Sequence, residues 1–164
     1  MKILIAEDDA VSSAVLQRLL KLWDHEAVVC SDGKQAWEIL QREDSPKLAI
    51  LDWMMPEIDG VELCRRVKRL GRREPPYLIL VTAKSQQEDV IFGLESGADD
   101  YVTKPFSVKE LSARIRVGER TIRIQTDLSQ RIAELERTTS EVSQLTAQLL
   151  QKSNHAAELE VAAT

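Results

Sequence analysis

Aromatic residues and prolines are confined to one part of this 164-residue chain. All seven aromatic residues and all five prolines lie at or before Phe106, and the last 58 residues contain a single glycine, Gly118. Aromatic side chains supply much of the apolar surface that a core buries, whereas a long stretch without proline permits an uninterrupted helix. We therefore expect residues 1–117 to form a folded domain, and residues 118–164 to form a helix that has no core of its own.

The first part contains five short apolar runs, at residues 3–6, 27–30, 48–51, 77–81 and 101–102, separated by amphipathic segments. Continuous apolar runs, without alternation of apolar and polar residues, are typical of strands buried on both faces. The segments between them predict helices near 10–23, 34–41, 60–70 and 85–95. In the first helix, Val11, Val15, Leu19 and Leu22 share one face. This alternation predicts the α/β class, with a five-stranded, doubly wound parallel sheet.

Charged and hydroxyl side chains stand at the ends of four predicted strands: Glu7, Asp8 and Asp9 after the first, Asp52 after the third, Thr82 after the fourth and Lys104 after the fifth. The carboxyl ends of parallel strands share one edge of the sheet, which is where ligands bind in this fold class. Clustered carboxylates repel one another unless a cation lies among them, and Mg²⁺ prefers such oxygen ligands. A carboxylate nucleophile beside Mg²⁺, a lysine and a hydroxyl group predicts a phosphoryl-transfer site.

With this set of residues, the chain resembles the receiver domain of two-component response regulators. The resemblance covers about residues 1–117 and includes the run Asp52-Trp-Met-Met-Pro-Glu-Ile-Asp-Gly60 and the pair Lys104-Pro105. Thr82 follows Asp52 by 30 positions and Lys104 follows it by 52, which is the spacing of compact receivers. The implied fold is the flavodoxin-like receiver, which is not itself an enzyme.

The resemblance implies that Asp52 accepts a phosphoryl group from a phosphohistidine of a sensor histidine kinase. It also implies Mg²⁺ as cofactor, with Asp8, Asp52 and the backbone carbonyl of Met54 as direct ligands and Glu7 acting through a water molecule. By its register, Asp9 begins the first helix as a cap. A shift of one residue would instead make Asp8 and Asp9 the acidic pair, and this alternative stays open.

The same resemblance gives roles to the residues around the acceptor. Lys104 would contact the phosphoryl oxygens, aimed by a cis peptide bond before Pro105. Thr82 would move to donate a hydrogen bond to the phosphoryl group, and Tyr101 would follow it from an exposed to a buried position. In the family, the residues two after the aspartate and two after the threonine adjust the lifetime of the phosphoryl group. Here they are Met54 and Lys84, which predicts slow self-dephosphorylation.

Apolar residues repeat every three or four positions through the last third of the chain. With Thr121 as an a position of a heptad, six apolar a and d positions form a seam: Ile124, Leu128, Leu135, Val142, Leu145 and Leu149. Ser107 and Glu110 have the spacing of a capping box, which predicts that the helix begins there. The pattern predicts that helix five of the receiver continues outward as a dimeric coiled coil, although Arg131 and Thr138 weaken the seam at d positions.

Composition limits the remaining function classes. The chain carries 22 basic and 27 acidic residues, and its last helix has no basic recognition surface, so we expect no direct binding of nucleic acid. No apolar run reaches the roughly 18 residues of a membrane span, and Cys30 and Cys64 are expected as free thiols of a cytoplasmic protein.

The C-terminal helix resembles the linkers that precede diguanylate cyclase domains, so the expected effector, a diguanylate cyclase, lies outside this chain. The alternative is a stand-alone or pseudo-receiver scaffold that acts by protein–protein interaction.

Overall fold

The computed structural model describes residues 1–84 and 86–162, and side chains as far as residue 158. The strands are β1 (Lys2–Ala6), β2 (Glu26–Cys30), β3 (Leu48–Asp52), β4 (Tyr77–Thr82) and β5 (Asp100–Thr103). The helices are α1 (Ala10–Leu22), α2 (Gly33–Leu40), α3 (Gly60–Arg69), α4 (Gln87–Glu95) and α5 (Val108–Ala162). All strand pairs are parallel, in the order β2-β1-β3-β4-β5. The predicted five-stranded, doubly wound α/β fold is confirmed.

The sheet is buried on both faces, as its continuous apolar runs predict. Every residue of β3 and β4 is buried. On one face, Ile3 and Ile5 of β1 pack with residues of α1 and α5. On the other face, Leu4 packs with residues of α2 and α3. The strands therefore run through the centre of the domain, and their carboxyl ends open at one edge.

Short polar side chains fix where the helices begin. Asp9, Asp32 and Asp59 each accept a hydrogen bond from the backbone N–H three residues later, at 2.7–2.8 Å. Ser107 accepts the equivalent bond from Glu110 N at 3.0 Å, and α5 begins at Val108 as the capping pattern predicts. Such a cap typically stabilises a helix by about 1 kcal/mol.

Of the four residues on the predicted apolar face of α1, only Leu19 packs against the core. Leu16 and Leu20 are the buried leucines of this helix, whereas Val11 is 72% exposed and Val15 and Leu22 are also exposed. Apolar residues occur on more than one face of α1, so the spacing of three and four residues fits two orientations equally well. Leu16 and Leu20 face the sheet and belong to the buried cluster that contains Ile3 and Ile5.

The chain divides into two compact units, the first running from Met1 to Gln125 and the second beginning at Thr126. Gly118 belongs to the packing of the first unit, because a Cβ placed there would lie 2.8 Å from the side chains of Leu48 and Tyr77. The functional division between residues 1–117 and 118–164 stays a prediction. Ala163 and Thr164, at the end of the predicted coiled-coil segment, lie outside the described residues.

The second unit is helical over its described length, and large apolar side chains are exposed along it. Leu128, Leu135, Val142, Leu145 and Leu149 each expose more than half of their surface. Thr138, a polar d position, donates its hydroxyl hydrogen to the carbonyl oxygen of Glu134, which satisfies the hydroxyl group within the helix. Over residues 1–84 and 86–162, no helix combines the length and apolar character that crossing a membrane requires.

Candidate functional site

Four strands deliver the predicted site residues to one edge of the sheet. Asp52 is the last residue of β3 and Thr82 the last residue of β4, while Glu7 follows β1 and Lys104 follows β5. The strand order places β1, β3, β4 and β5 side by side. The fold therefore gathers these side chains because each stands at the same end of a parallel strand, although they are far apart in sequence.

Three carboxylates form the acidic part of the site. One oxygen from each of Glu7, Asp8 and Asp52 lies within 4.8 Å of the others. Glu7 and Asp52 are only 3% and 8% exposed, whereas Asp8 is exposed to solvent. Two buried carboxylates and one exposed carboxylate make a site that is open on one side and that suits a hard cation with oxygen ligands.

Asp9 lies outside this acidic group. Its carboxylate accepts a hydrogen bond from Ser12 N at 2.7 Å and caps α1, and that bond lowers the pKa of Asp9. Its backbone N–H donates to Glu7 Oε1 at 3.2 Å. The geometry thus agrees with the register in which Glu7 and Asp8 form the acidic pair and Asp9 begins the helix.

Lys104 joins the two buried carboxylates. Its Nζ lies 2.6 Å from Glu7 Oε2 and 3.1 Å from Asp52 Oδ2, and the peptide bond between Lys104 and Pro105 is cis. Burial raises the pKa of Glu7 and the negative charge of Asp52 raises it further, although Lys104 opposes both effects. Burial by itself lowers the pKa of Lys104, but hydrogen bonds to Glu7 and Asp52 outweigh it and leave that pKa raised. The ammonium group therefore stays charged and compensates the carboxylates.

Met54 contacts the site through its backbone, since its N–H donates to Asp52 Oδ1 at 3.3 Å. Its side chain is 63% exposed and apolar. The role of the Met54 carbonyl as a metal ligand stays a prediction.

Thr82 and Tyr101 are linked through the segment that follows β4. Lys84 N donates to Thr82 Oγ1 at 3.2 Å, and the Tyr101 hydroxyl donates to the carbonyl oxygen of Lys84 at 2.7 Å. Tyr101 is 7% exposed, and burial raises its pKa. Lys104 N donates to the Thr82 carbonyl oxygen at 2.7 Å. The structure therefore holds Tyr101 in the buried position that the resemblance associates with the switched state.

Sequence reasoning missed an aromatic cluster beside Asp52. Trp53 stacks on Phe92 at 6.0 Å between ring centroids and meets Tyr101 edge-on at 6.3 Å. Lys84 Nζ lies 4.3 Å from the centre of the Trp53 ring. The position of Trp53 directly after Asp52 was the signal in the sequence, whereas nothing in the sequence indicated Phe92.

The model of the response regulator receiver domain family matches residues 3–116. The chain belongs to this family. It is 41% identical over 115 residues to the phosphate regulon transcriptional regulatory protein PhoB of Rhizobium meliloti, covering 70% of this chain and 50% of PhoB. Several curated relatives are described as transcriptional regulators, and the chain spans about half of their length. The predicted receiver of a two-component response regulator, which is not itself an enzyme, is confirmed.

Solved receiver structures agree with this assignment. The receiver domain of the Francisella response regulator 1452 is 32% identical with a TM-score of 0.67, over 73% of this chain and 98% of that chain. The receiver domain of the sensor histidine kinase PA1611 from Pseudomonas aeruginosa PAO1 is 28% identical with a TM-score of 0.63, over 71% of this chain and 95% of that chain. The latter structure has a magnesium ion coordinated in its active site cleft.

Proposed function

We propose that Asp52 accepts a phosphoryl group from the phosphohistidine of a sensor histidine kinase. The observation that carries this proposal is the position of Lys104, whose ammonium group lies within hydrogen-bond distance of both Glu7 and Asp52. A carboxylate oxygen of Asp52 attacks phosphorus, the bond between phosphorus and the imidazole nitrogen breaks, and the nitrogen keeps the electron pair. The other ring nitrogen of the phosphohistidine carries a proton, so the products are an acyl phosphate on Asp52 and a neutral histidine.

The acidic group fits Mg²⁺, because three carboxylate oxygens lie close enough together to share one hard cation. Asp8, Asp52 and the backbone carbonyl of Met54 would hold the ion directly, and Glu7 would hold it through water. When bound, the ion supplies positive charge that offsets the carboxylates and the incoming phosphoryl oxygens. Support for this proposal comes from the magnesium ion in the active site cleft of the related PA1611 receiver.

Three side chains of this protein respond to the phosphoryl group. Lys104 turns from Glu7 toward the phosphoryl oxygens and stabilises the charge that develops on them. Thr82 moves to donate its hydroxyl hydrogen to the same group, and this movement draws Thr82 Oγ1, which accepts a hydrogen bond from Lys84 N, away from its present position. Tyr101 reports the change at the surface formed by α4, β5 and α5. Phosphorylation thus shifts the population between two packings of one fold.

We propose further that α5 makes a homodimer through the seam residues Ile124, Leu128, Leu135, Val142, Leu145 and Leu149. Their exposure supports this, because burial against a second copy would remove several large apolar side chains from water. The dimer passes the change to an effector outside this chain, in the cytoplasm where the sensor kinase acts. Transcriptional regulators among the relatives give no support to a diguanylate cyclase effector, so the proposal names no effector class.

Incubation with acetyl phosphate and Mg²⁺ tests the acceptor. Intact-mass spectrometry is expected to show one added phosphoryl group on the wild type and none on Asp52→Asn. Asp32→Asn is the matched control, since Asp32 caps α2 and asparagine caps a helix equally well. If Asp52→Asn gains the phosphoryl group as readily as the wild type, the assignment of Asp52 is wrong. If no variant gains it, the pseudo-receiver alternative is favoured.

Light scattering over a range of concentrations tests the dimer separately. Leu135→Glu combined with Val142→Glu places charges in the seam and is expected to give monomers. Ala133→Glu combined with Ser140→Glu adds the same charges at exposed positions of the outer helix face and is expected to leave the dimer intact. A wild type that stays monomeric, with or without beryllofluoride, contradicts the coiled-coil proposal.

A further inference from the structure

A groove rich in cations lies between α3 and α4, on the face of the sheet away from α1. Its volume is about 460 Å³, and we call it the basic groove; it is lined by Arg65, Lys68, Arg69, Phe92, Glu95 and Ser96. None of these residues takes part in the proposed phosphoryl transfer. The groove has three cations against one carboxylate, although the chain as a whole has a net charge of −5.

The cations of α3 outnumber the carboxylates of the same helix. This ten-residue helix carries Arg65, Arg66, Lys68 and Arg69 but only one carboxylate, that of Glu62. Glu62 Oε1 lies 3.0 Å from Arg66 Nε, and Glu62 Oε2 lies 3.9 Å from Arg65 Nη1. Cations near a helix C-terminus also interact favourably with the helix dipole. This interaction explains why the cations lie near the end of the helix. It does not neutralise them, so the groove has an excess of positive charge.

Phe92 supplies an apolar surface among these charges. Its side chain is 47% exposed, although it stacks on Trp53 and lies 5.0 Å from the guanidinium carbon of Arg65. A large, partly exposed aromatic ring held in place by two neighbours is a suitable anchor for a ligand side chain, because little conformational freedom is lost when it is covered.

We infer that the basic groove docks an acidic segment of a partner protein, with its carboxylates on Arg65, Lys68 and Arg69 and an apolar side chain on Phe92. Clusters of basic side chains recognise acidic motifs in this way. A protein segment is favoured over a nucleic acid for two reasons. Trp53 and Arg65 lie against the faces of the Phe92 ring, which is where a base would stack, whereas the exposed 47% of the side chain can contact an apolar side chain. The carboxylate of Glu95 repels phosphate groups and peptide carboxylates alike, but it can also accept hydrogen bonds from the backbone amides of a peptide.

Fluorescence anisotropy of a labelled peptide tests the inference on unphosphorylated protein, so the result does not depend on Asp52. The probe is a fluorescein-labelled peptide in which glutamates flank a pair of leucines. Lys68→Glu combined with Arg69→Glu is expected to weaken its binding by at least about tenfold, equivalent to about 1.4 kcal/mol. Both side chains are exposed, so the substitutions leave the core of the domain unchanged.

Arg18→Glu combined with Lys21→Glu is the matched control. These exposed residues lie on α1, across the sheet, and their substitution changes the net charge equally. Peptide binding within about twofold of the wild type is expected for this pair. Three results would each overturn the inference: no binding by the wild type, equal weakening in both pairs, or equally tight binding of a labelled single-stranded oligonucleotide with the charge of the peptide.

Discussion

The hydroxyl group of Tyr101 donates a 2.7 Å hydrogen bond to the backbone carbonyl oxygen of Lys84. This bond joins β5 to the segment after β4, and the N–H of the same residue, Lys84, bonds to Thr82 Oγ1. The proposed movement of Thr82 toward a phosphoryl group would therefore displace the segment that Tyr101 holds. Thr82, Lys84 and Tyr101 are thus connected by two hydrogen bonds and the backbone of Lys84, which link the end of β4 to β5.

Tyr101→Phe removes this hydrogen bond and leaves the Lys84 carbonyl without its partner. We expect the free energy of unfolding to fall by about 1 kcal/mol, the usual net contribution of a protein hydrogen bond. Urea denaturation measures the change. Tyr77→Phe serves as the control, since it removes the same atom from another buried tyrosine of the domain. If both variants lose the same free energy of unfolding, the hydrogen bond from Tyr101 to Lys84 contributes no more to stability than the hydroxyl group of Tyr77 does.

Lys104→Gln removes the cation between Glu7 and Asp52. Two nearby buried carboxylates then lack compensation, so we expect the variant to lose about 2 kcal/mol at pH 7 and to recover much of it when Mg²⁺ is added. Denaturation with and without Mg²⁺ measures both effects. Lys109→Gln, which removes an exposed cation at the beginning of α5, is the control.

The pH dependence of Lys104→Gln gives a second measurement. The pKa of Glu7 is already raised by burial, and the variant loses the hydrogen bond that opposes the rise. A carboxyl group with a raised pKa in the folded state contributes stability below its unfolded pKa, and that contribution disappears as pH rises through the folded pKa. The deficit of the variant should therefore shrink as pH falls from 7 toward the ordinary range of a glutamate. A deficit that grows on acidification would contradict this account.

Both cysteines are expected to be unreactive in the folded protein. Burial raises the pKa of Cys30 to about 11 and that of Cys64 to about 12, and nearby carboxylates add to the effect. Because the thiolate is the reactive form, each unit of pKa above the pH reduces its fraction about tenfold. Alkylation by iodoacetamide at pH 8, followed by mass spectrometry, should be slow for the native protein and fast in urea, with Cys30 modified before Cys64. Rapid native modification of Cys64 would be inconsistent with its burial.

The lifetime of the acyl phosphate should be minutes or longer. Met54 exposes an apolar side chain that cannot orient an attacking water, and Lys84 is held between the Trp53 ring and Asp89, whose Oδ1 lies 3.6 Å from its Nζ. Met54→Asn, which adds a polar side chain at the exposed position, is expected to shorten the lifetime about tenfold, a change of about 1.4 kcal/mol in the barrier. Loss of phosphoryl mass over time measures it. A wild-type half-life of a few seconds would refute the prediction.

Particular elements show what the sequence could predict and what it could not. Buried strands were visible because β3 and β4 are apolar up to their last residues, and the site was visible because its side chains stand directly at strand ends. The buried face of α1 was not visible, since its apolar residues fit two orientations and only the tertiary packing distinguishes them. The stacking of Phe92 on Trp53 joins residues 39 positions apart on different elements, and local patterns contain no information about such a pair.

Two glycines should differ sharply in how they tolerate a side chain. A Cβ at Gly60 would overlap the backbone carbonyl oxygen of Asp52, whereas at Gly118 it would meet only side-chain atoms of Leu48 and Tyr77. Backbone at the end of β3 cannot move without moving the phosphoryl acceptor, but a leucine side chain can adjust. We therefore expect Gly60→Ala to cost at least about 3 kcal/mol and to impair phosphorylation of Asp52. Gly118→Ala should cost about 1 kcal/mol, because the overpacking is partly offset by the better helix propensity of alanine. Thermal unfolding compares the stability of the two variants, and labelling with acetyl phosphate compares their phosphorylation. A Gly60→Ala protein as stable as Gly118→Ala would show that β3 and α3 can separate at this contact.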